Sequence, residues 1–102
     1  MANLLTQQLK VLAHPGRLRL LRLLKDPAAH FPPQKDGDLV RDGVCGVFIA
    51  NKFGVSAPTA TRHLQAMTAA RLLIATRRKP WTFYRRNEAA IRALKAALGE
   101  EL

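Results

Sequence analysis

The segment "GVSAPTATRHLQAM", residues 54–67, constrains the fold more than any other stretch of the sequence. Gly54 follows an apolar run at a point where a helix must end, because glycine readily adopts the left-handed conformation of a helix C-terminus. Ser56 is a favourable N-cap for a following helix, and Pro58 is tolerated in the first turn of that helix. The apolar residues that come next recur at the spacing of one helix face, and they are Ala60, Leu64 and Met67. The sequence therefore predicts two helices joined by a short turn.

The outward side of the second of these helices is small and polar. Thr59, Thr61, Arg62 and Gln65 lie off its apolar face, and Thr59 occupies the third position beyond the cap, where a carboxylate would neutralise the helix dipole. The positive helix end is thus free to meet a phosphate. Two short helices joined through Gly-x-Ser are typical of a helix-turn-helix, whose second helix enters the DNA major groove. The alternative is a helical hairpin packed in a core, and the polar outer face favours DNA readout.

The charge of the chain is high and unevenly distributed. The net charge is +10 over 102 residues, and residues 43–87 contain eight Lys or Arg and no Asp or Glu. A domain this basic ordinarily has a polyanionic partner, either nucleic acid or an anionic membrane surface. The alternative, charge that serves solubility alone, does not explain why the acidic residues lie outside this window. The length and the 48% of hydrophobic residues predict a single packed domain over residues 1–102.

Several classes of protein are not supported by the sequence. No apolar run approaches the ~20 residues of a membrane span, and the N-terminus does not read as a signal peptide. The single cysteine cannot form an internal disulfide. No paired-carboxylate motif, catalytic triad or Gly-rich phosphate loop indicates an enzyme. We therefore predict a cytoplasmic chain that is not an enzyme, has no membrane partner and needs no cofactor.

Other segments complete the predicted helices. "NLLTQQLKVLA" and the segment that restarts at Pro15 have helical apolar spacing, as do "VCGVFIANKFG" and the C-terminal "EAAIRALKAALGEEL". Residues 26–43 hold three prolines, two glycines and four aspartates. This insert cannot be a regular helix throughout, and we predict a long loop or extended arm.

A β-hairpin is predicted after the helix-turn-helix. "LLIATRR" and "WTFYRR" are compatible with strands, and a proline suited to the second position of a turn places the tip at Lys79–Thr82. The register stays open by one residue, because no Asn-Gly or Asp-Gly fixes it. Basic residues on a hairpin here are typical of a wing that grips the phosphate backbone or the minor groove, although some would serve as a charged edge that discourages strand addition. The basic residues are Arg77, Arg78, Lys79, Arg85 and Arg86. The aromatic residues Trp81, Phe83 and Tyr84 would stack on bases or anchor the hairpin to the core, and we expect at least two to be anchors.

The two terminal helices carry apolar stripes outside the predicted DNA-binding unit. These stripes either cover the core of the chain itself or form a two-fold dimer interface. In a dimer, the two recognition helices would lie about 34–36 Å apart, which is one turn of DNA. The stripe residues are Leu5, Leu9 and Leu12 in the first helix and Ile91, Leu94 and Leu98 in the last.

Three segments together resemble the ArsR/SmtB family of winged helix-turn-helix repressors. They are "LKVLAHPGRLRLLRLL", "IANKFGVSAPTATRHLQAM" and "WTFYRRNE". The resemblance implies a mainly α fold with a small β-hairpin, in the order α-α-α-α-β-β-α. It also implies a homodimeric repressor of transcription that binds specific double-stranded DNA and leaves it when an unidentified signal arrives. A rival interpretation is an architectural protein that binds DNA without sequence preference. By position, the family's DNA-contacting segments correspond to Ser56, Thr59, Thr61, Arg62 and His63 and to Arg77, Arg78 and Lys79.

The sequence departs from the family where a signal is received. In the segment that resembles the metal-binding motif of the family, Cys45 is kept, but Val47 replaces the second cysteine and Phe48 replaces an acid. The last helix contains neither His nor Asp. One thiol is a poor site for a soft metal, so no metal site is predicted. Cys45 is expected to be a core residue, since a redox role would need a partner thiol across the dimer. The insert at 26–43 is either structural or receives a small-molecule or protein effector.

Overall fold

The computed structural model describes residues 3–102, so the first two positions of the predicted domain lie outside the described residues. Within this range the chain forms six helices and a three-stranded antiparallel sheet. The elements are α1 (Leu4–Leu12), α2 (Pro15–Leu23), α3 (Pro27–His30), β1 (Val44–Cys45), α4 (Gly46–Phe53), α5 (Ala57–Ala69), β2 (Leu73–Arg78), β3 (Trp81–Arg86) and α6 (Glu88–Glu101). The predicted fold class, mainly α with a small hairpin in a winged helix-turn-helix, is confirmed.

Two elements differ from the sequence-based prediction. The insert contains the short helix α3, and Val44–Cys45 form a strand where a helix was predicted to begin. Val44 pairs with Tyr84 and Cys45 with Phe83, so β3 lies between β1 and β2 in the sheet. The hairpin offers this segment backbone partners that local helical spacing does not reveal, and α4 therefore starts at Gly46.

Local side chains explain where several helices begin. Asn3 caps α1 by accepting the Thr6 N–H at 2.8 Å. Asn87 caps α6 in the same way by accepting the Ala90 N–H at 3.2 Å. Both contacts satisfy backbone donors that have no partner within the helix.

The turn of the hairpin is one residue earlier than predicted. Arg78 pairs with Trp81, so Lys79 and Pro80 are the two loop residues, and the turn spans residues 78–81, one residue from the predicted tip at Lys79–Thr82 and within the register that the sequence left open. Pro80 stands at the third position of the turn, after a cis peptide bond, rather than at the second.

The core lies between the helices and one face of the sheet. Its central side chains come from α2, α4, α5, the turn before β2, the start of β2 and α6, and they include Leu20, Ile49, Leu64, Met67, Leu72, Leu73, Ile91 and Leu94. Helix α1 closes one side, where buried Gln8 donates its Nε2 hydrogen to the Ala70 carbonyl at 3.0 Å. This contact satisfies both the buried amide and an acceptor at the C-terminus of α5.

The hairpin uses its two faces differently, because side chains alternate along a strand. Tyr84 points toward the helices and belongs to the main core. Phe83 points to the other face, where Gly37 of the insert lies against its ring so closely that an added Cβ would be 2.8 Å from the ring edge. Both aromatic side chains are buried, as predicted for anchors, whereas Trp81 is 37% exposed.

Candidate nucleic-acid interface

The turn between α4 and α5 has the geometry that the sequence predicted. Gly54 ends α4 in the left-handed region with a φ of 63°, and Val55 donates its N–H to the Ala50 carbonyl at 3.1 Å. Ser56 Oγ accepts the Thr59 N–H at 3.3 Å and lies 3.0 Å from Thr59 Oγ1. The N-terminus of α5 is therefore capped by hydroxyl groups and carries no acidic side chain in its first turn.

Helix α5 separates its buried and outward residues as an amphipathic helix should. Ala60, Leu64 and Met67 are buried. Thr61, Arg62 and Gln65 are exposed, Ser56 is exposed at the cap, and Thr59 is half-buried. We call α5 the recognition helix because its outward face carries side chains that can donate and accept hydrogen bonds.

A groove separates the recognition helix from the hairpin of β2 and β3, residues 73–86, which we call the wing. Thr61 and Gln65 line one wall of the groove, and Arg77, Trp81 and Thr82 line the other. Arg77 Nη1 donates to Thr82 Oγ1 at 3.0 Å, which holds the guanidinium on this face of the wing. The groove thus has polar groups of the helix on one wall and the positive charge of Arg77 on the other.

The three predicted DNA-contacting residues of the wing lie in different environments. Lys79 lies exposed in the loop at the tip, and Arg77 faces the groove. Arg78 projects from the opposite face, because neighbouring residues of a strand alternate in direction. Its Nη2 donates to Asp42 Oδ1 of the insert at 3.0 Å. Arg78 is therefore not brought to the groove, and its predicted contact with DNA stays a prediction.

The two basic residues at the end of β3 also differ. Arg85 is exposed, whereas Arg86 donates from Nη1 to the Leu21 carbonyl at 3.0 Å and from Nε to Glu88. The hydrogen bond from Arg86 lowers the pKa of Glu88 below its ordinary value. Arg86 thus joins β3 to α2 and α6 and is a structural residue.

His63 is directed to α2 rather than to the outward face of the recognition helix. Arg17 Nε donates to His63 Nδ1 at 2.9 Å, and the His14 ring packs edge-on against the His63 ring with centroids 4.7 Å apart. Burial, and then the charge of Arg17, lowers the pKa of His63 below its ordinary value. The structure therefore does not place His63 among the side chains available to DNA, and its partner Arg17 was missed because they are far apart in sequence.

The remaining features of the site concern metals and membranes. Within residues 3–102, no three His, Cys, Asp or Glu side chains come together as they would to hold a metal ion. Cys45 is buried where β1 leads into α4. Over the same range, no helix is long and apolar enough to cross a membrane.

A curated protein shares the sequence over nearly its whole length. The uncharacterized HTH-type transcriptional regulator YbzH of Bacillus subtilis (strain 168) is 36% identical over 93 residues, which are 91% of this chain and 93% of that protein. The chain belongs to the HTH-type transcriptional regulators. No protein-family model matches the sequence of this regulator.

Solved structures show the same fold. The crystal structure of a possible transcriptional regulatory protein from Mycobacterium bovis (fragment 1–100) aligns with this regulator at a TM-score of 0.65 and 24% identity, covering 96% of this chain and 90% of that one. A solution structure from the same organism, described as a homodimeric winged helix-turn-helix DNA-binding domain of a possible ArsR-family transcriptional regulator, has the same TM-score and identity. The alignment covers 96% of this regulator and 78% of that domain. These two structures support the fold.

Proposed function

We propose that this regulator is a homodimeric repressor of the ArsR type, which binds specific double-stranded DNA through α5 and the wing. The observation that carries the proposal is the groove in which the exposed outward face of α5 stands beside Arg77. Thr61, Arg62 and Gln65 have the donors and acceptors needed to read base edges in the major groove. The wing lies beside α5, and a basic hairpin in this position can contact the phosphate backbone or the minor groove.

Electrostatics supports a nucleic-acid partner over a smaller anion. The helix-turn-helix and the wing lie within residues 43–87, the stretch of the sequence with eight basic residues and no acidic one. Each phosphate that such a surface neutralises releases counterions, so the affinity should fall steeply as salt rises.

The proposed dimer rests on α1 and α6. Leu9 of α1 is 42% exposed, and Leu5, Leu12 and Leu98 of α1 and α6 are partly buried. Ile91 and Leu94 are buried in the core of the chain itself. They would therefore hold α6 in place for such an interface rather than contact the second subunit. The Mycobacterium bovis domain described as homodimeric has a similar fold.

A selection from random duplex DNA tests the proposal. The purified regulator should recover a motif with two-fold symmetry whose half-sites are about 10–10.5 base pairs apart. Footprinting on the DNA upstream of its own gene should protect a match to that motif, and deletion of the gene should raise transcription from that promoter. Recovery of all sequences alike would favour the architectural alternative, and an absence of DNA binding at low salt would contradict both.

A further inference from the structure

The second half of the insert is a compact loop rather than an extended arm. Asp38 Oδ1 accepts the N–H groups of Val40 and Arg41 at 2.9 and 2.7 Å, and its carbonyl accepts the N–H groups of Asp42 and Gly43 at 2.9 and 3.1 Å. The backbone hydrogen bonds lower the pKa of Asp38 below its ordinary value. This network fixes the direction in which Asp42 projects.

Gln34 joins the same loop to the sheet. Its Oε1 accepts the Cys45 N–H at 2.7 Å, and its Nε2 donates to the Gly43 carbonyl at 3.0 Å. Gly37 lies against the ring of Phe83 on the face of the wing that points away from α5. The insert is therefore attached to the sheet on the side opposite the candidate DNA-binding groove.

The end of the wing has less support from the sheet than its base has. β1 pairs with Phe83 and Tyr84, so within the described residues the pairs Arg77–Thr82 and Arg78–Trp81 extend past β1 as a two-stranded ribbon. A two-stranded ribbon is at best marginally stable by itself. Its position relative to α5 must therefore come from side-chain contacts.

Asp42 supplies such a contact. It is only 5% exposed, and its two carboxylate oxygens accept the Asp38 N–H at 2.8 Å and Arg78 Nη2 at 3.0 Å. A buried carboxylate is costly unless it is paired and hydrogen-bonded. Arg78, whose side chain is 55% exposed, thus hydrogen-bonds to a charge that belongs to the insert, and Nη2 of exposed Arg41 lies 3.9 Å from Asp42 Oδ2.

We propose that Asp42 is a positioning residue for the wing. Its contact with Arg78 holds the end of the hairpin at a fixed place beside α5, so that Arg77 and Lys79 meet DNA in register with the recognition helix. The inference rests on the proposed function and assigns the insert a part in it. An opposite role, in which Asp42 withdraws Arg78 from DNA, would give a change of affinity of the opposite sign.

The test compares two variants that break the contact with two that preserve it. Asp42→Asn and Arg78→Gln remove one partner each. Asp36→Asn and Lys35→Gln make the same changes of charge in the insert at exposed positions. For each chain, the affinity for the selected DNA duplex is measured over a range of salt concentrations. Amide hydrogen exchange of residues 77–82 and of α5 is measured on the same samples without DNA.

Asp42→Asn should weaken DNA binding about tenfold. The slope of log K against log salt concentration should become less steep by about one for each phosphate that a subunit ceases to neutralise. Exchange should accelerate in residues 77–82 and stay unchanged in α5. A chain that combines Asp42→Asn with Arg78→Gln should bind DNA no more weakly than Arg78→Gln alone, because the ion pair is already absent in the single variant. Asp36→Asn and Lys35→Gln should match the unmodified regulator.

Two results would overturn the inference while the proposed function stands. One is a folded Asp42→Asn chain with unchanged affinity and salt dependence, and the other is tighter DNA binding by that chain. If Asp42→Asn does not fold, Arg78→Gln breaks the same contact from its exposed side, and Arg78→Lys should recover part of the affinity by keeping the charge. An unmodified regulator that binds no DNA would contradict the proposed function, and this inference with it.

Discussion

At the scale of single residues, three side chains that the sequence grouped as DNA contacts have different environments. Arg62 is exposed on the recognition helix, Arg78 pairs with buried Asp42, and His63 accepts a hydrogen bond from Arg17. Their types and spacing suit DNA equally well. What separates them is the partner that each meets in the folded chain, so their substitutions should have different consequences.

Arg62→Ala should weaken binding to the preferred DNA by about 1–3 kcal/mol and relax discrimination at one base pair in each half-site, because arginine can contact a guanine edge with two hydrogen bonds. Fluorescence anisotropy with preferred, single-substituted and random duplexes at one salt concentration measures both effects. Arg22→Ala is the control, since it removes the same charge from an exposed position on α2. If Arg62→Ala weakens all duplexes alike, Arg62 holds phosphate and the reading of bases falls to Thr61 or Gln65.

His63 should make the stability of the regulator dependent on pH. Only a neutral imidazole can accept the Arg17 Nε–H through Nδ1, and burial followed by the charge of Arg17 lowers the pKa of His63 from its ordinary 6.5. His14 and Arg62 add to this effect. Because the folded pKa is the lower one, this contribution to stability is complete above pH 6.5 and is lost as the pH falls through the folded value.

The measurement is the thermal unfolding midpoint as a function of pH, with the pKa of His63 followed by NMR. His63→Gln keeps a side-chain acceptor without a titration, so it should flatten the acid side of the curve. His30→Gln, at an exposed position of α3, should leave that curve unchanged. A folded pKa above the ordinary value would mean that the Arg17 contact does not set the protonation of His63.

At the scale of elements, the insert and the wing depend on each other. β1 ends the insert and pairs with β3, and the chain enters β1 through Gly43. This residue has a φ of 106°, and an added Cβ would clash with the Tyr84 carbonyl group. The backbone at this junction is thus restricted both by its conformation and by the strand beside it.

Gly43→Ala should lower the free energy of unfolding by about 3 kcal/mol, because it combines a strained φ with a clash against backbone. Gly99→Ala is the matched control, since an added Cβ on the helical residue Gly99 meets no described atom within 4 Å. It should leave the protein as stable or raise its stability by roughly 0.5–1 kcal/mol. Urea unfolding monitored by circular dichroism compares the two, and equal stabilities would show that the insert can shift away from β3 without cost.

At the scale of the whole molecule, the terminal helices serve two purposes. Their inward residues Ile91 and Leu94 complete the core, and Leu9 remains 42% exposed. An exposed leucine is not unusual by itself. Here it lies on helices whose partly buried leucines continue the same apolar stripe, which is the arrangement that a two-fold interface uses.

Sedimentation at micromolar concentration should give twice the chain mass for the unmodified regulator, and Leu9→Glu should shift it toward the monomer, because the interface would then bury an unpaired charge. Leu9→Glu should still fold, since the side chain is already exposed. Leu18→Glu, at a position of α2 that is 44% exposed, should remain dimeric. A monomeric unmodified regulator would remove the model of two half-sites.

The elements that could be predicted from the sequence are those whose signals are local. Gly54, Ser56 and Pro58 mark the end of one helix and the start of the next, and the spacing of Ala60, Leu64 and Met67 orients the recognition helix. Periodicity and capping act within a few residues of the chain, so these signals survive without knowledge of the fold. The apolar spacing of α6 and the strand character of the wing were evident for the same reason.

The features that depend on partners distant in sequence could be learned only from the folded chain. Val44–Cys45 form a strand because β3 lies beside them, and Arg78, which strand alternation directs away from the groove, meets Asp42 of the insert there. His63 turns to α2 because Arg17 is there. Hydrogen bonds and burial depend on three-dimensional proximity, which local patterns of residues do not reveal. The role of a basic or polar side chain therefore depends on the partner that it contacts in the folded chain.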